Sequence, residues 1–298
     1  MLMKTLREYI KEAEEKKVAI GHFNISNLEG LHGIYKAARK LSEEKGYKIP
    51  IIIGVSEGEE VFVGKEEASS LVRGLREKDN YPIFLNADHH YSFDRFKESL
   101  DAGYNAAIID AVKLPLEENI ALTKKCVDYA AKLKEKGNKD ILVEGELGYI
   151  GTSSKLLDKI PEGVSDKTMT NPEDAKYFVN KTGIDLLAPS VGNIHGMIKG
   201  GNPKINTKRI KEVREAAGVP LVLHGGSGIS DEDFTKAIAA GIAIIHINTE
   251  IRVAYKRALE KSLEDNPTQV APYKYLNTTV DAIEETVYKR LKLFNNFE

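Results

Sequence analysis

The sequence predicts an α/β chain closed into one (β/α)₈ TIM-type barrel with additional helices at its C-terminal end. Three observations predict it. Eight short apolar runs alternate with longer charged segments of helical period from one end to the other. The cores of those runs are nearly continuous in Val, Ile, Leu and Ala, as in parallel strands covered by helices. Polar residues stand at the C-terminal tips of all eight runs, the end where such barrels carry their chemistry. An open doubly wound sheet is the alternative reading of the same alternation. At 298 residues the chain fits one such barrel, so residues 1–298 are expected to form a single domain.

The runs are KVAIGHFNI (17–25), IPIIIGVS (49–56), YPIFLNADH (81–89), AAIIDA (106–111), DILVEGELG (140–148), DLLAPSVG (185–192), PLVLHGGSG (220–228) and IAIIHINTE (242–250). Helix punctuation agrees with them. Thr170-Asn171-Pro172-Glu173 combines a polar cap with an early proline, and Gly183 stands past the helix end. Ser230 precedes three acids that suit a first helical turn. Residues 251–298 read as helices beyond the eighth strand. Residues 149–170 form the longest irregular stretch, long enough for a loop over an active site.

The composition, 42% hydrophobic and 30% charged, is that of a globular chain with a sizeable core. Net charge is −2 with both signs interleaved, which argues against a nucleic-acid partner. The single cysteine, Cys126, lies in an expected helix over 119–134 and reads as a buried thiol. The first 17 residues lack the apolar core of a signal peptide, and no run approaches the ~20 apolar residues of a membrane span. The expected location is cytoplasmic.

Five of the seven histidines stand at the tips: His89, His90, His195, His224 and His246. A lone histidine there is more often structural. Several converging on one barrel mouth suit zinc, which takes imidazole nitrogen and leaves a position open when three protein groups bind it. His90 follows His89 directly, so the two face different ways and only one is expected to be a ligand. Glu144 and Glu146 are two residues apart and point the same way. Asp88, beside His89, suits either proton transfer to a substrate hydroxyl or the orientation of a ligand histidine. After the seventh run, His224-Gly225-Gly226-Ser227-Gly228 offers backbone amides and a hydroxyl to an anion, next to Asn248-Thr249. Glycines there also serve ordinary turns.

The ordered set Ala87-Asp88-His89-His90, Ile109-Asp110-Ala111, Val143-Glu144-Gly145-Glu146-Leu147-Gly148, Gly192-Asn193-Ile194-His195-Gly196, Leu223-His224-Gly225-Gly226-Ser227-Gly228 and Ile247-Asn248-Thr249-Glu250 resembles the class II, zinc-dependent fructose-bisphosphate aldolases, including their tagatose-bisphosphate branch. The likeness runs from about residue 5 to the C-terminal end. It implies a catalytic zinc on His89, His195 and His224, with Asp88 as the acid/base at the substrate's C4 oxygen. Asp110 and Glu146 match positions for a second metal ion. Gly196, the stretch Gly225, Gly226 and Ser227, and the stretch His246, Ile247, Asn248 and Thr249 match contacts to the dihydroxyacetone phosphate half, while Asn24, Ser56 and Lys199 match further substrate positions. A phosphorylated ketose and triose phosphates would be the partners, and a homodimer or homotetramer the assembly. Fructose 1,6-bisphosphate is the first expected substrate and tagatose 1,6-bisphosphate or another phosphorylated ketose the second. A metal-dependent sugar-phosphate isomerase and a non-catalytic binding protein are more distant readings.

The sequence departs from the family pattern in two places. Family members follow the Glu-Leu-Gly motif with a run of acids, one of which handles the C3 proton. Here the stretch reads Gly148-Tyr149-Ile150-Gly151-Thr152-Ser153-Ser154-Lys155, leaving Asp158 or Glu162 as replacements or a different proton step. His246 stands where an asparagine is usual.

Overall fold

A computed structural model describes residues 3–137, 140–151 and 155–297. Among the described residues ten strands form: β1 Ile20–Asn24, β2 Ile51–Ser56, β3 Ile83–His90, β4 Ala106–Ile109, β5 Leu142–Leu147, β6 Leu156–Leu157, β7 Leu186–Pro189, β8 Met197–Ile198, β9 Leu221–Leu223 and β10 Ile242–Ile247. Eight of them close a barrel in the order β1-β2-β3-β4-β5-β7-β9-β10, and every pairing is parallel. The eight apolar runs and the closed barrel are therefore the same segments. Several strands are shorter than their runs. The seventh run keeps only Leu221–Leu223 in the ladder, because the chain leaves it at Gly225, whose φ is 63°.

Helices surround the barrel: α1 Leu6–Lys16, α2 Leu28–Lys45, α3 Glu57–Val63, α4 Lys65–Asp79, α5 Phe93–Asp101, α6 Leu116–Glu135, α7 Pro172–Thr182, α8 Thr207–Ala217, α9 Asp231–Ala240, α10 Thr249–Asp265, α11 Pro272–Tyr275 and α12 Asn277–Phe294. The punctuation residues act as their chemistry suggests. The Asn171 side chain accepts from the Glu173 amide, Gly183 is left-handed at φ 72°, and Ser230 accepts from the Asp233 amide. Cys126 is buried on α6, and burial pushes its thiol up to about 12.

Two apolar layers result. Outward-facing residues such as Ile53, Leu85, Ile109, Leu187 and Ile245 meet the helices. Inward-facing Ile20, Ile52, Phe84, Ile108, Leu142, Val222 and Ile244 fill the barrel with Leu6, Ile10 and Ala13 of α1. Helix α1 thus closes the end opposite the polar tips. The expected C-terminal helices are present, and α12 packs between α2 and α9, completing the ring around the barrel. The described residues of 149–170 are mostly irregular, as the sequence suggests, with two short elements among them. Leu156–Leu157 pairs in parallel with Met197–Ile198, and a 3₁₀ turn spans Asp166–Thr168. No helix among the described residues is long and apolar enough to cross a membrane.

The closure by α12 relies on close approach at Gly33. A Cβ there would stand 2.7 Å from Ile283 Cβ and 2.8 Å from the Val280 carbonyl oxygen. Gly33→Ala is expected to lower stability by about 1–2 kcal/mol, overpacking outweighing the roughly 1 kcal/mol that alanine adds in a helix. Urea unfolding would measure it; an unchanged or raised midpoint would show that α12 is not seated on α2 in this way.

Candidate active site

The site begins with an irregular strand end. Regular alternation would turn Asp88 and His89 to opposite faces of the sheet. Instead, the β3–β4 register shifts between Ala87 and His90, and His89 has a left-handed φ of 51°. This conformation is uncommon for a residue with a Cβ and costs on the order of 1–3 kcal/mol. It lets Asp88 and His89 share the barrel mouth while His90 turns away to Glu60 and Ser99, at 3.1 and 3.2 Å. Both glutamates of β5 point into the barrel, as their spacing requires: Glu144 to His224, Glu146 to His89.

Three imidazoles meet there. His89 comes from β3, His195 from the loop before β8, and His224 from the turn after β9; ligand nitrogens of the three lie within 4.8 Å of one another. Hydrogen bonding fixes which nitrogens face inward. His195 Nδ1 lies 2.7 Å from the Gly151 carbonyl, which can only accept, so its Nε2 lone pair is left for a cation. By the same logic Asp110, at 3.0 Å from His89 Nδ1, leaves Nε2 of that ring, and Glu144, at 2.6 Å from His224 Nε2, leaves Nδ1. Those two nitrogens, His89 Nε2 and His224 Nδ1, are 2.9 Å apart. Two lone pairs at that distance repel unless a cation or proton lies between them. The donor set therefore fits a zinc ion: three neutral imidazoles with their outer nitrogens engaged.

The electrostatics agree. Burial and the neighbouring His89 and His224 rings push His195 down to about 3, so it is neutral. Burial opposes a proton on His89, but Asp88, Asp110 and Glu146 outweigh it and raise that ring well above the usual imidazole range. A cation on His89 would take that proton's place. Burial and the nearby Asp110 raise the Glu146 carboxyl. Asp88 is buried, yet His89, His246 and His22 hold its carboxyl well below the usual range. Asn24 donates to Asp88 Oδ2 at 2.8 Å, and His246 Nδ1 lies 3.3 Å from Oδ1. His89, Asp110 and Glu146 form a second group of donors within 4.8 Å.

One part of the cleft is lined by Asn24, Asp88, His89, His195, Gly196, His224, Gly225, Ser227, His246, Asn248 and Thr249. The adjoining part adds Ser56, Tyr91, Asp110, Gly151 and Arg252. Gly225 is irreplaceable by shape: a Cβ would overlap the Ile194 carbonyl, and its φ is left-handed. Three of the residues matched to substrate positions fall outside the lining. The Gly226 amide donates to the His246 carbonyl at 3.0 Å, and Ile247 faces the helix layer. Lys199 is exposed, 2.7 Å from the exposed Asp158. Glu162 is exposed as well, and neither Asp158 nor Glu162 lines the cleft. Thr152, Ser153 and Ser154 lie outside the described residues.

Sequence reading missed Glu59 and Arg252. Glu59 accepts from Asn24, from the Ser56 amide and hydroxyl, and from Arg252 at 2.6 Å. Its signal was the Ser-x-x-Glu capping spacing at Ser56, which reads locally as a helix start.

The Fructose-bisphosphate aldolase class-II family model matches residues 4–298. The chain belongs to the class II fructose-bisphosphate aldolase family. Members are aldehyde-lyases, enzymes that cleave carbon–carbon bonds. Fructose-bisphosphate aldolase of Staphylococcus aureus strain Mu50 is 39% identical over 297 residues, covering 99% of this chain and 98% of that one. The enzyme of the same name from Geobacillus stearothermophilus is 36% identical over 299 residues, covering 99% and 98%. Among solved structures, the YdjI aldolase of Escherichia coli K12 superposes with a TM-score of 0.76 at 33% identity, covering 98% of this chain and 96% of that one.

Glu144→Ala removes the carboxylate that orients His224. Zinc affinity, measured by competition with a chelator, is expected to fall about 10–100-fold; unaltered affinity would mean that His224 is not a ligand or needs no orientation.

Proposed function

We propose that the enzyme catalyses zinc-dependent cleavage and formation of the C3–C4 bond of fructose 1,6-bisphosphate, with dihydroxyacetone phosphate and glyceraldehyde 3-phosphate as the triose products. The convergence of His89, His195 and His224, each with its outer nitrogen engaged, carries this reading. Bound by them, zinc supplies Lewis-acid polarisation of the ketose carbonyl and stabilises the charge that develops as the bond breaks.

The protein's own groups do the rest. Asp88 accepts the proton of the C4 hydroxyl during cleavage and returns it during condensation. Gly196, Gly225, Gly226, Ser227, His246, Ile247, Asn248 and Thr249 surround the dihydroxyacetone phosphate half. Its phosphate sits where the turn after β9 meets the N-terminus of α10, whose aligned amides favour an anion. Because the Gly226 amide is engaged and Ile247 points outward, these two contribute backbone shape. Asn24 and Ser56, which also line the cleft, are further substrate positions. Lys199 reaches substrate by leaving Asp158. Asp110 and Glu146 hold a second cation with His89, or orient that ring for the first. The chain acts as a single-domain cytoplasmic homodimer or homotetramer. His246 beside Asp88, where the family has an amide, supports as the second reading a different phosphorylated ketose, tagatose 1,6-bisphosphate or another.

A chelator is expected to abolish triose phosphate release, and added zinc to restore it. Asp88→Ala should lower kcat by about 10²–10⁴-fold with zinc retained. Activity unaffected by metal stripping, or an Asp88→Ala variant of normal turnover, would overturn the mechanism. Better turnover of tagatose 1,6-bisphosphate would overturn the substrate.

A further inference from the structure

His22 is fully buried on β1 and lines neither part of the cleft. Its register partner across the β1–β10 ladder is His246. The two rings are parallel within 2° with centroids 3.4 Å apart. Strand β9 lies on the far side of β10, and from there His224 meets the His246 ring at 3.9 Å and a 38° tilt. His246 is thus held between His22 and a residue of the three-imidazole cluster.

The local structure makes room for His22. A Cβ at Gly54 of β2 would overlap its ring, and the Asn86 amide nitrogen lies 3.0 Å from its Nε2. Nδ1 of His22 finds no hydrogen-bond partner among the described residues. An unpartnered buried nitrogen is a cost that an aliphatic side chain would avoid. Parallel stacking also excludes a metal site shared by His22 and His246, since the in-plane lone pairs of parallel rings do not converge.

The carboxylate of Asp88 shows what the stack does. Asn24 holds Oδ2, while among the described residues Oδ1 has only His246 Nδ1 at 3.3 Å and His89 Nε2 at 3.9 Å nearby. A carboxylate gripped by one oxygen can swivel about its Cβ–Cγ bond. The plane of Asp88 therefore depends on where the His246 ring stands.

We propose that His22 is a positioning residue: by stacking beneath His246 it fixes that ring against Asp88 and so sets the carboxylate for proton transfer. This rests on the reading of Asp88 as the acid/base.

The test uses the zinc-loaded enzyme and fructose 1,6-bisphosphate. His22→Ala is expected to lower kcat about tenfold, with KM within about twofold and zinc per chain unchanged, because misplacement of a catalytic group by about 1 Å costs that much or more. His22→Phe keeps a flat ring and should retain most of the turnover. His22→Gln keeps a polar group for Asn86 without stacking and should lose it, so this pair decides the matter even if the alanine variant does not fold. In a His246→Ala background, His22→Ala should cost less than about twofold more, the signature of action through His246. Normal kcat in folded His22→Ala, a glutamine variant better than phenylalanine, a loss that follows zinc content, or a full tenfold loss in the His246→Ala background would each overturn the proposal. A wild type that cleaves no ketose bisphosphate would overturn the parent reading, and this one with it.

Discussion

Charge balance at the barrel mouth constrains everything else in the structure. Asp88, Asp110, Glu144 and Glu146 are each at most 9% exposed, and all four face imidazoles. The arginine of the cleft, Arg252, is committed to a fifth acid, Glu59. Buried carboxylates need an opposite charge close by, or they hold their protons. The imidazoles and whatever cation they bind must supply it. The same carboxylates fix the histidine tautomers, so the groups that create the demand for positive charge also aim the lone pairs that receive it.

The barrel meets that demand through register. Neighbouring parallel strands put His22 beside His246 and Ser56 beside Asp88 without any local sequence motif. Where register alone fails, the backbone departs from it. His89 adopts a left-handed conformation within an interrupted ladder, and Gly225 turns beneath the Ile194 carbonyl. Such departures cost stability locally, and the apolar fill around Phe84, Leu142 and Val222, sealed by α1, sustains them.

This division explains what was legible in the sequence. Eight runs and their polar tips gave the barrel and drew attention to His89, His195 and His224, because period and strand-end placement are local properties. The opposite facing of His89 and His90 followed from adjacency alone. Convergence was harder to read. Glu144 looked like a second inward acid, and its grip on His224 depends on strands 80 residues apart. His22 lies inside its run rather than at the tip, and its register with β10 exists only once the barrel closes. Lys199 shows the converse: likeness suggested a substrate position, but its ion pair with Asp158 beside the β6–β8 ribbon could not be read from spacing. Within 149–170, which stays mostly irregular among its described residues, Leu156–Leu157 went unread because a two-residue strand carries too little period to be seen.

The two halves of the site differ in how firmly they are set. Each histidine of the cluster has a partner drawn from a separate segment: Gly151 for His195, Asp110 and Glu146 for His89, Glu144 for His224. On the substrate side the polar groups are engaged with one another. Ser56 and Asn24 share Glu59, which also binds Arg252. A ligand entering there must exchange those contacts for its own, so its affinity reflects the difference between two sets of hydrogen bonds rather than the sum of one. A small change in hydroxyl configuration can tip such a difference, while the pre-set nitrogens of the three-imidazole cluster feel none of it. The three-imidazole cluster is consequently the more firmly set part of this geometry, and the side around Ser56, Asn24 and Glu59 the more adjustable one.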